Sequence, residues 1–407
     1  MNDWSLKTLN EITSKIGSGA TPRGGSNAYK KEGISLIRSQ NILDLNFSYD
    51  GLAFIDDKQA DELRNVTVQH DDILLNITGD SVARVCMVPE KVLPARVNQH
   101  VSIIRVDSKK SNSKYVLYNL IVQKEELLMQ SEVGATRKAL TKTMLQQFEI
   151  LLPPLPEQKA IAEVLSSLDD KIDLLHRQNE TLEEMAQALF RQWFVEEADE
   201  SWEYIKLSDI AEVKNGFAFS SKSYVDYTPE CLEVFKMGHI ERGGGLRQNP
   251  KMDFVPREER LKRYILNKND IVMAMTDMKD NVVILGVPAM IDKDNHYVLN
   301  QRVARIYLKT NDKLISQYLL YTQLNDKENI AILQSKANSG VQVNLSTQAI
   351  KDIEILIPPI RLQKEKGQTI IDLYEKKDKN MFQIKTLEKL RDNLLPKLMS
   401  GEIRVNS

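Results

Sequence analysis

The sequence predicts an α+β protein with two similar globular domains separated by two long antiparallel helices. The helices are expected to form a coiled coil, giving a pseudo-twofold arrangement. Two observations carry this expectation. First, the run Phe148-Glu-Ile-Leu-Leu-Pro-Pro-Leu-Pro-Glu-Gln-Lys159 returns as Ile353-Glu-Ile-Leu-Ile-Pro-Pro-Ile-Arg-Leu-Gln-Lys364, a shift of 205 residues. Earlier in each copy the shift is 198, matching Trp4 with Trp202 and Asp72-Ile73 with Asp270-Ile271; Asn98-Gln99 matches Asn300-Gln301 at 202. A period near 200 is far longer than the 20–50 residues of solenoid repeats and marks a duplicated domain. Second, Ile161, Leu165, Leu168, Ile172, Leu175, Asn179, Leu182, Ala186, Leu189 and Trp193 follow alternating steps of four and three, a heptad seam.

In chain order, the first globular domain covers 1–152, the first helix segment 153–198, the second domain 199–357 and the second helix segment 358–407. Short β-branched runs (Ile34–Ile37, Asp72–Ile77, Val101–Val106, Ile271–Thr276, Val303–Leu308) are separated by turn clusters such as Gly243-Gly244-Gly245. They predict a twisted, mostly antiparallel sheet in each domain. Tyr115–Gln130 and Leu314–Asn325 read as helical. Pro153, Pro154 and Pro156 make a hard boundary before the first long helix, because proline is tolerated at a helix start and not inside. A helix of ~39 residues would be ~58 Å long at 1.5 Å per residue.

The second helix, from about Leu362 to Met399, keeps the seam at Ile370, Leu373, Ile384, Leu387, Leu394 and Leu398. It breaks the seam at Lys377, Asn380 and Arg391, and Ser400-Gly401 supplies a stop. Antiparallel pairing would place Asn179 and Asn380 opposite each other, and a buried asparagine pair fixes register at some cost in stability. The plainer alternative packs each stripe on its own domain.

The net charge of −2 looks wrong for a nucleic-acid binder, but its distribution is uneven. Residues 157–200 hold 4 Lys+Arg against 12 Asp+Glu, whereas residues 357–407 hold 11 against 7. Opposite balances in the two helix segments suggest that they meet. The absence of a membrane-length apolar run and of a signal pattern predicts a cytoplasmic protein without a membrane partner. Cys86 and Cys231 do not correspond in the repeat and are expected to be buried, reduced thiols.

Catalytic signatures are missing. Gly17-Ser-Gly19-Ala-Thr-Pro22 starts like a dinucleotide loop and ends in proline, and no phosphate loop is present. The histidines His70, His100, His176, His239 and His296 lack metal-ligand spacing, and no nucleophile elbow surrounds a Ser or Cys. The Pro-Pro pairs lack the Asn-Pro-Pro-aromatic pattern of amino-methylating enzymes. These absences point away from a stand-alone enzyme and toward a chain with no metal or cofactor of its own. What remains are polar loop residues placed twice. Base-edge reading favours Arg or Lys on guanine and Asn or Gln on adenine, while hydroxyls hold phosphates. The DNA-binding candidates in copy one are Thr21, Arg23, Arg38, Gln40, Thr78, Arg84, Arg137 and Lys138. In copy two they are Lys222, Lys236, His239, Thr276, Lys279, Gln342 and Asn344. Copies that read different sequences should differ at the reading positions, so the unshared residues are assigned specificity and the shared Asn-Gln pairs architecture. Taken singly, each candidate also fits a solvated loop residue.

This layout resembles the specificity (S) subunit of type I restriction–modification systems, over essentially the whole chain. The resemblance rests on Leu152-Pro-Pro-Leu-Pro-Glu-Gln-Lys159, Leu189-Phe-Arg-Gln-Trp-Phe194, Leu394-Leu-Pro-Lys-Leu-Met-Ser-Gly-Glu402 and the Gly-x-Thr-Pro loop at 19–22. The sequence departs from the pattern at Arg361-Leu362 and at Gly367, which leaves the start of the second helix open. The resemblance implies two target recognition domains, each reading one half of a bipartite double-stranded DNA target. It implies spacer helices that set the gap and dock two methylation subunits, with restriction/translocase subunits added. S-adenosylmethionine, ATP and Mg would then belong to those partners. The alternatives are a solitary DNA-binding adaptor and a coiled-coil scaffold without active partners.

Overall fold

A computed structural model describes residues 4–24, 28–132, 138–247, 250–278, 282–310, 313–339 and 342–405. The chain divides into two compact units, Met1–Leu174 with Ile384–Ser407, and Leu175–Gln383. Each unit therefore holds one globular copy together with a portion of both long helices.

In the first unit an antiparallel sheet runs Thr13–Ser18, Val101–Val106, Ile73–Asn76, Val85–Met87 in spatial order. A second sheet places Ile34–Ile37 parallel to Ala95–Val97, with Ala53–Ile55 and Thr67–Val68 at its edges. The second unit repeats the plan. Its antiparallel sheet runs Ala211–Asn215, Val303–Leu308, Ile271–Ala274, Pro288–Met290, and Leu232–Phe235 lies parallel to Tyr297–Leu299 in a separate sheet. The expectation of one mostly antiparallel sheet per copy is thus corrected to two principal sheets, one of them holding a parallel pair, with smaller antiparallel sheets beside them. The long segment between Ile37 and Ala95 carries strands of the other sheet, which provides the crossover that parallel strands need.

The central strands explain the unbroken apolar runs in the sequence. Ile73 and Leu75 face one hydrophobic cluster while Leu74 faces another. In the second unit Ile271 and Met273 likewise face one cluster, and Val272 and Ala274 the other. A strand buried on both faces loses the alternating pattern. Beside each central strand sits the same ion pair. Arg105 grips Asp72 with Nε at 2.7 Å and Nη2 at 2.8 Å, and Arg305 Nε lies 2.8 Å from Asp270.

The ends of each copy are stitched together before the helix departs. Ser5–Thr8 pairs antiparallel with Glu149–Leu152, and Glu203–Lys206 with Glu354–Ile357. The first long helix then spans Leu155–Arg191. The second begins with Ile360–Leu362, passes through one π-helical turn at Gln363–Gly367, and continues as Gln368–Ser400. Gly367 lies in that turn, where a Cβ would approach Leu319 Cδ1 to 3.1 Å.

The glutamine of each repeated motif clamps helix to domain. Gln158 accepts from Ser111 Oγ at 2.8 Å and the Asn112 amide at 3.0 Å, and donates to the Pro153 carbonyl at 2.8 Å. Gln363 accepts from the Ile315 amide at 3.1 Å and donates to the Lys313 and Pro358 carbonyls, both at 2.7 Å. Tyrosines at matching positions of the helices Ser113–Val122 and Gln317–Leu324 reach the long helices as well. Tyr118 donates to Asp169 at 2.5 Å, and Tyr321 to Glu183 at 2.6 Å. Burial, followed by the adjacent carboxylate, pushes both phenol pKa values up, so these hydroxyls stay protonated donors.

Within each unit the two long helices pack together. In the second, Asn179 pairs with Asn380 while Glu183, four residues on, pairs with Lys377, three residues back, so the helices run antiparallel. Ile161, Leu165, Ile172, Leu175 and Ala186 of the seam are buried, as are Ile370, Ile384 and Leu398. Each polar break in the second helix meets a partner on the first. Arg391 Nη1 lies 2.9 Å from Asp169, Lys377 binds Glu183, and Asn380 Nδ2 donates to Asn179 Oδ1 at 3.0 Å. The basic and acidic segments thus meet at named ion pairs. No helix among the described residues is long and apolar enough to cross a membrane. Cys86 is buried, and desolvation pushes its thiol pKa up; Cys231 is only half-buried, against expectation.

Candidate nucleic-acid interface

The candidate loops hang on a frame whose principal contacts recur in the two copies. Gly19 lies against the carbonyls of Val97 and Asn98, where a Cβ would come within 2.0 and 2.2 Å. Gly216 lies against Leu299 and Asn300 in the same way, at 2.4 and 2.2 Å. Only glycine permits that approach. Asn98 Oδ1 accepts the His100 amide at 3.1 Å, and Asn300 Oδ1 the Arg302 amide at 3.1 Å. The shared Asn residues are buried and hold turns.

In copy one the frame gathers several candidates around an open recess of about 470 Å³. Gln40, Thr78 and Arg84 line it with Ser39, Asp80, Ser81 and His100. Thr78 Oγ1 lies 2.6 Å from His100 Nδ1, which fixes the imidazole. Gly79 donates to the Lys138 carbonyl at 3.2 Å, so Lys138 sits at the rim, its ammonium 2.7 Å from Glu132. Arg38 stacks 5.2 Å from the Tyr29 ring and donates to the Gly51 carbonyl. Thr21 and Arg23 are exposed on the loop that follows Gly19. Arg137 and Lys279 lie outside the described residues.

Copy two is organised differently. His239 is 3% exposed. Its Nδ1 accepts the Lys236 amide at 3.2 Å, and its Nε2 lies 3.0 Å from Glu233, which also binds His296 at 2.9 Å. Burial opposes ionisation of Glu233, but the bonds from His239 and His296 outweigh it and lower the carboxyl pKa to about 2. With both ring nitrogens engaged, His239 cannot reach a ligand, which corrects its assignment as a reader. In copy one Asn41 does the same job, its Oδ1 accepting the Arg38 amide at 3.0 Å. Thr276 is likewise buried, and its hydroxyl donates to Asn344 Oδ1 at 3.0 Å. Asp277 accepts the Val283, Ile284 and Leu285 amides at 2.7, 2.7 and 3.2 Å. Lys236 Nζ is 2.5 Å from Asp253 and 4.2 Å from the Tyr224 ring. Lys222 is exposed, and Gln342 and Asn344 lie on the strand Gln342–Asn344, which pairs with Thr276–Met278.

The family model for the type I restriction modification DNA specificity domain matches this chain twice, at residues 1–184 and 199–389. The chain belongs to that specificity family. It is 28% identical over 435 residues to the type I restriction enzyme MjaIX specificity subunit of Methanocaldococcus jannaschii, covering 99% of this chain and 94% of that one. Identity to the MjaVIII specificity subunit of the same organism is 26% over 373 residues, covering 84% and 82%. The crystal structure of a type I restriction–modification S subunit from M. genitalium covers 98% of this chain and 96% of its own at 17% identity, with a TM-score of 0.55. That likeness concerns the fold.

Within this specificity subunit, sequence reasoning missed His100 as a recess-lining residue and Gln158 and Gln363 as clamps. Recurrence of Gln-Lys at 158 and 363 was an available signal. For His100 the signal was its place directly after the shared Asn-Gln pair.

Proposed function

We propose that each globular copy is a target recognition domain, 1–152 and 199–357, reading one half of a bipartite, asymmetric double-stranded DNA target. The spacer helices, 153–198 and 358–407, set the number of unread base pairs and dock two methylation subunits, to which restriction/translocase subunits add. The observation that carries this reading is one frame built twice, with different side chains on it, each copy clamped to a shared helix pair. The chain is non-catalytic and works in the cytoplasm. Methyl transfer from S-adenosylmethionine and ATP- and Mg-dependent cleavage belong to the partners.

The charge supports a clamp completed by partners. Residues 1–150 hold 19 Lys+Arg against 18 Asp+Glu, and residues 201–356 hold 21 against 20, so counterion release contributes little affinity. The test is reconstitution with the methylation subunits, followed by mapping of methylated sites on random DNA. Two short defined halves around a fixed undefined gap are expected. Exchanging residues 1–150 for another recognition domain should alter one half alone; an altered gap or two altered halves would overturn the reading. The lone chain should bind DNA weakly in a gel shift.

A further inference from the structure

The turn Asn98-Gln99-His100 and its mate Asn300-Gln301-Arg302 are held by a matching set of bonds. The Asn98 and Asn300 amides donate to the Ile37 and Phe235 carbonyls at 3.0 and 3.1 Å. Ile77 and Met275 donate to the His100 and Arg302 carbonyls, both at 3.0 Å. Leu140 and Leu345 in turn donate to the Ile77 and Met275 carbonyls, both at 2.8 Å. The two side-chain caps and the two glycine contacts complete the match. Asn and Gln are common to both turns, so the third residue is where their chemistry diverges. An imidazole stands in one and a guanidinium in the other.

Arg302 is open to a ligand, and unlike the buried His239, His100 has its Nε2 covered only by the exposed side chain of its neighbour Gln99, at 3.2 Å. His100 is half-buried at the recess, its ring fixed by Thr78 and bordered by Gln40, Ser81 and Arg84. Arg302 is exposed, and among the described residues its guanidinium has no hydrogen-bond or ion-pair partner. We infer that His100 and Arg302 are specificity-determining residues, matched positions at which one rigid turn presents a different base-edge reader in each copy. The inference rests on the proposed reading of the copies as DNA readers and assigns its chemistry to one position. Arg302 can donate two N–H groups to guanine O6 and N7. The Gln99 amide nitrogen only donates, so its 3.2 Å approach to His100 Nε2 places the ring proton on Nδ1 toward Thr78, and Nε2 offers a single acceptor to one base donor once the exposed Gln99 side chain swings aside. The second copy therefore discriminates more sharply at this position than the first.

The test uses the full chain in complex with its methylation subunits and oligonucleotide libraries randomised across both halves. Replacing Arg302 with Ala should relax one base pair of one half, with a loss of discrimination of roughly 5- to 150-fold. His100→Ala should relax one base pair of the other half by less. His100→Arg and Arg302→His should change the preferred base at those pairs and leave the opposite half untouched. Unchanged preferences, or a uniform fall in rate across all sequences as for a phosphate contact, would overturn the inference. An unfolding curve for each variant checks the fold, and His100→Gln and Arg302→Lys replace any variant that fails it. If the unmodified complex shows no bipartite preference, the proposed function itself fails; if it does and the variants keep it, only this inference fails.

Discussion

Removing the asparagine pair from the helix interface should stabilise the protein while loosening its register. Asn179 and Asn380 are 5% and 1% exposed and share one hydrogen bond, and Asn179 Nδ2 has no partner. Replacing Asn380 alone with Leu strands the remaining amide in a buried seam and should cost about 1–3 kcal/mol. Replacing both removes every polar group. The lost hydrogen bond is worth about 1 kcal/mol, and the buried leucines return about 1.5–3 kcal/mol each, less side-chain ordering. The double variant should therefore exceed the unmodified protein by about 1–3 kcal/mol, or roughly 2–4 °C in Tm per kcal/mol. A double-mutant cycle by urea unfolding reads the coupling. Register is read by cysteine cross-linking, comparing Glu183→Cys with Lys377→Cys against Glu183→Cys with Leu373→Cys. Only the first pair should link when the asparagines are present, and both when they are leucine. Additive single effects, or a double variant less stable than either single, would refute the reasoning.

Gln158→Ala should cost about 2–4 kcal/mol, because it leaves the Ser111 hydroxyl, the Asn112 amide and the Pro153 carbonyl unpaired in a buried site. Gln363→Ala should cost a similar amount in its own unit, and limited proteolysis should show the affected domain loosened from its helix. Glu233 provides a pH test. Its folded pKa, about 2, lies below its ordinary 4.5, so its stabilisation is fully present above pH 4.5 and is lost as pH falls toward 2. Glu233→Gln should therefore destabilise by about 3 kcal/mol at neutral pH, with the difference shrinking across that window in urea titrations. A constant difference from pH 7 to 3 would show that ionisation is not the cause.

The helix pair is the part most legible in the sequence. Heptad spacing is long and regular, so its three polar breaks stand out, and each found a partner on the acidic helix. The sheets are less legible, because strands buried on both faces lose the alternation that reports direction and pairing. The candidate site is legible only in outline. Comparing copies ranks His239 as a reader because it differs from Asn41, yet both side chains accept the same amide. A difference between copies can thus mean two residue types doing one structural job. Conversely, Gln158 and Gln363 are plain as repeated letters. Their role depends on carbonyls and amides brought together across tens of residues, which no local pattern reports.

The central claim is that the helix pair acts as a ruler between two independent readers. The most direct measurement deletes one heptad from each long helix and maps the methylated sites of the reconstituted complex. Seven residues correspond to ~10 Å of helix rise, or about 3 base pairs at 3.4 Å each. The predicted result is a gap shortened by about that amount between two unchanged half-sites. Altered bases on either side of an unchanged gap would contradict it.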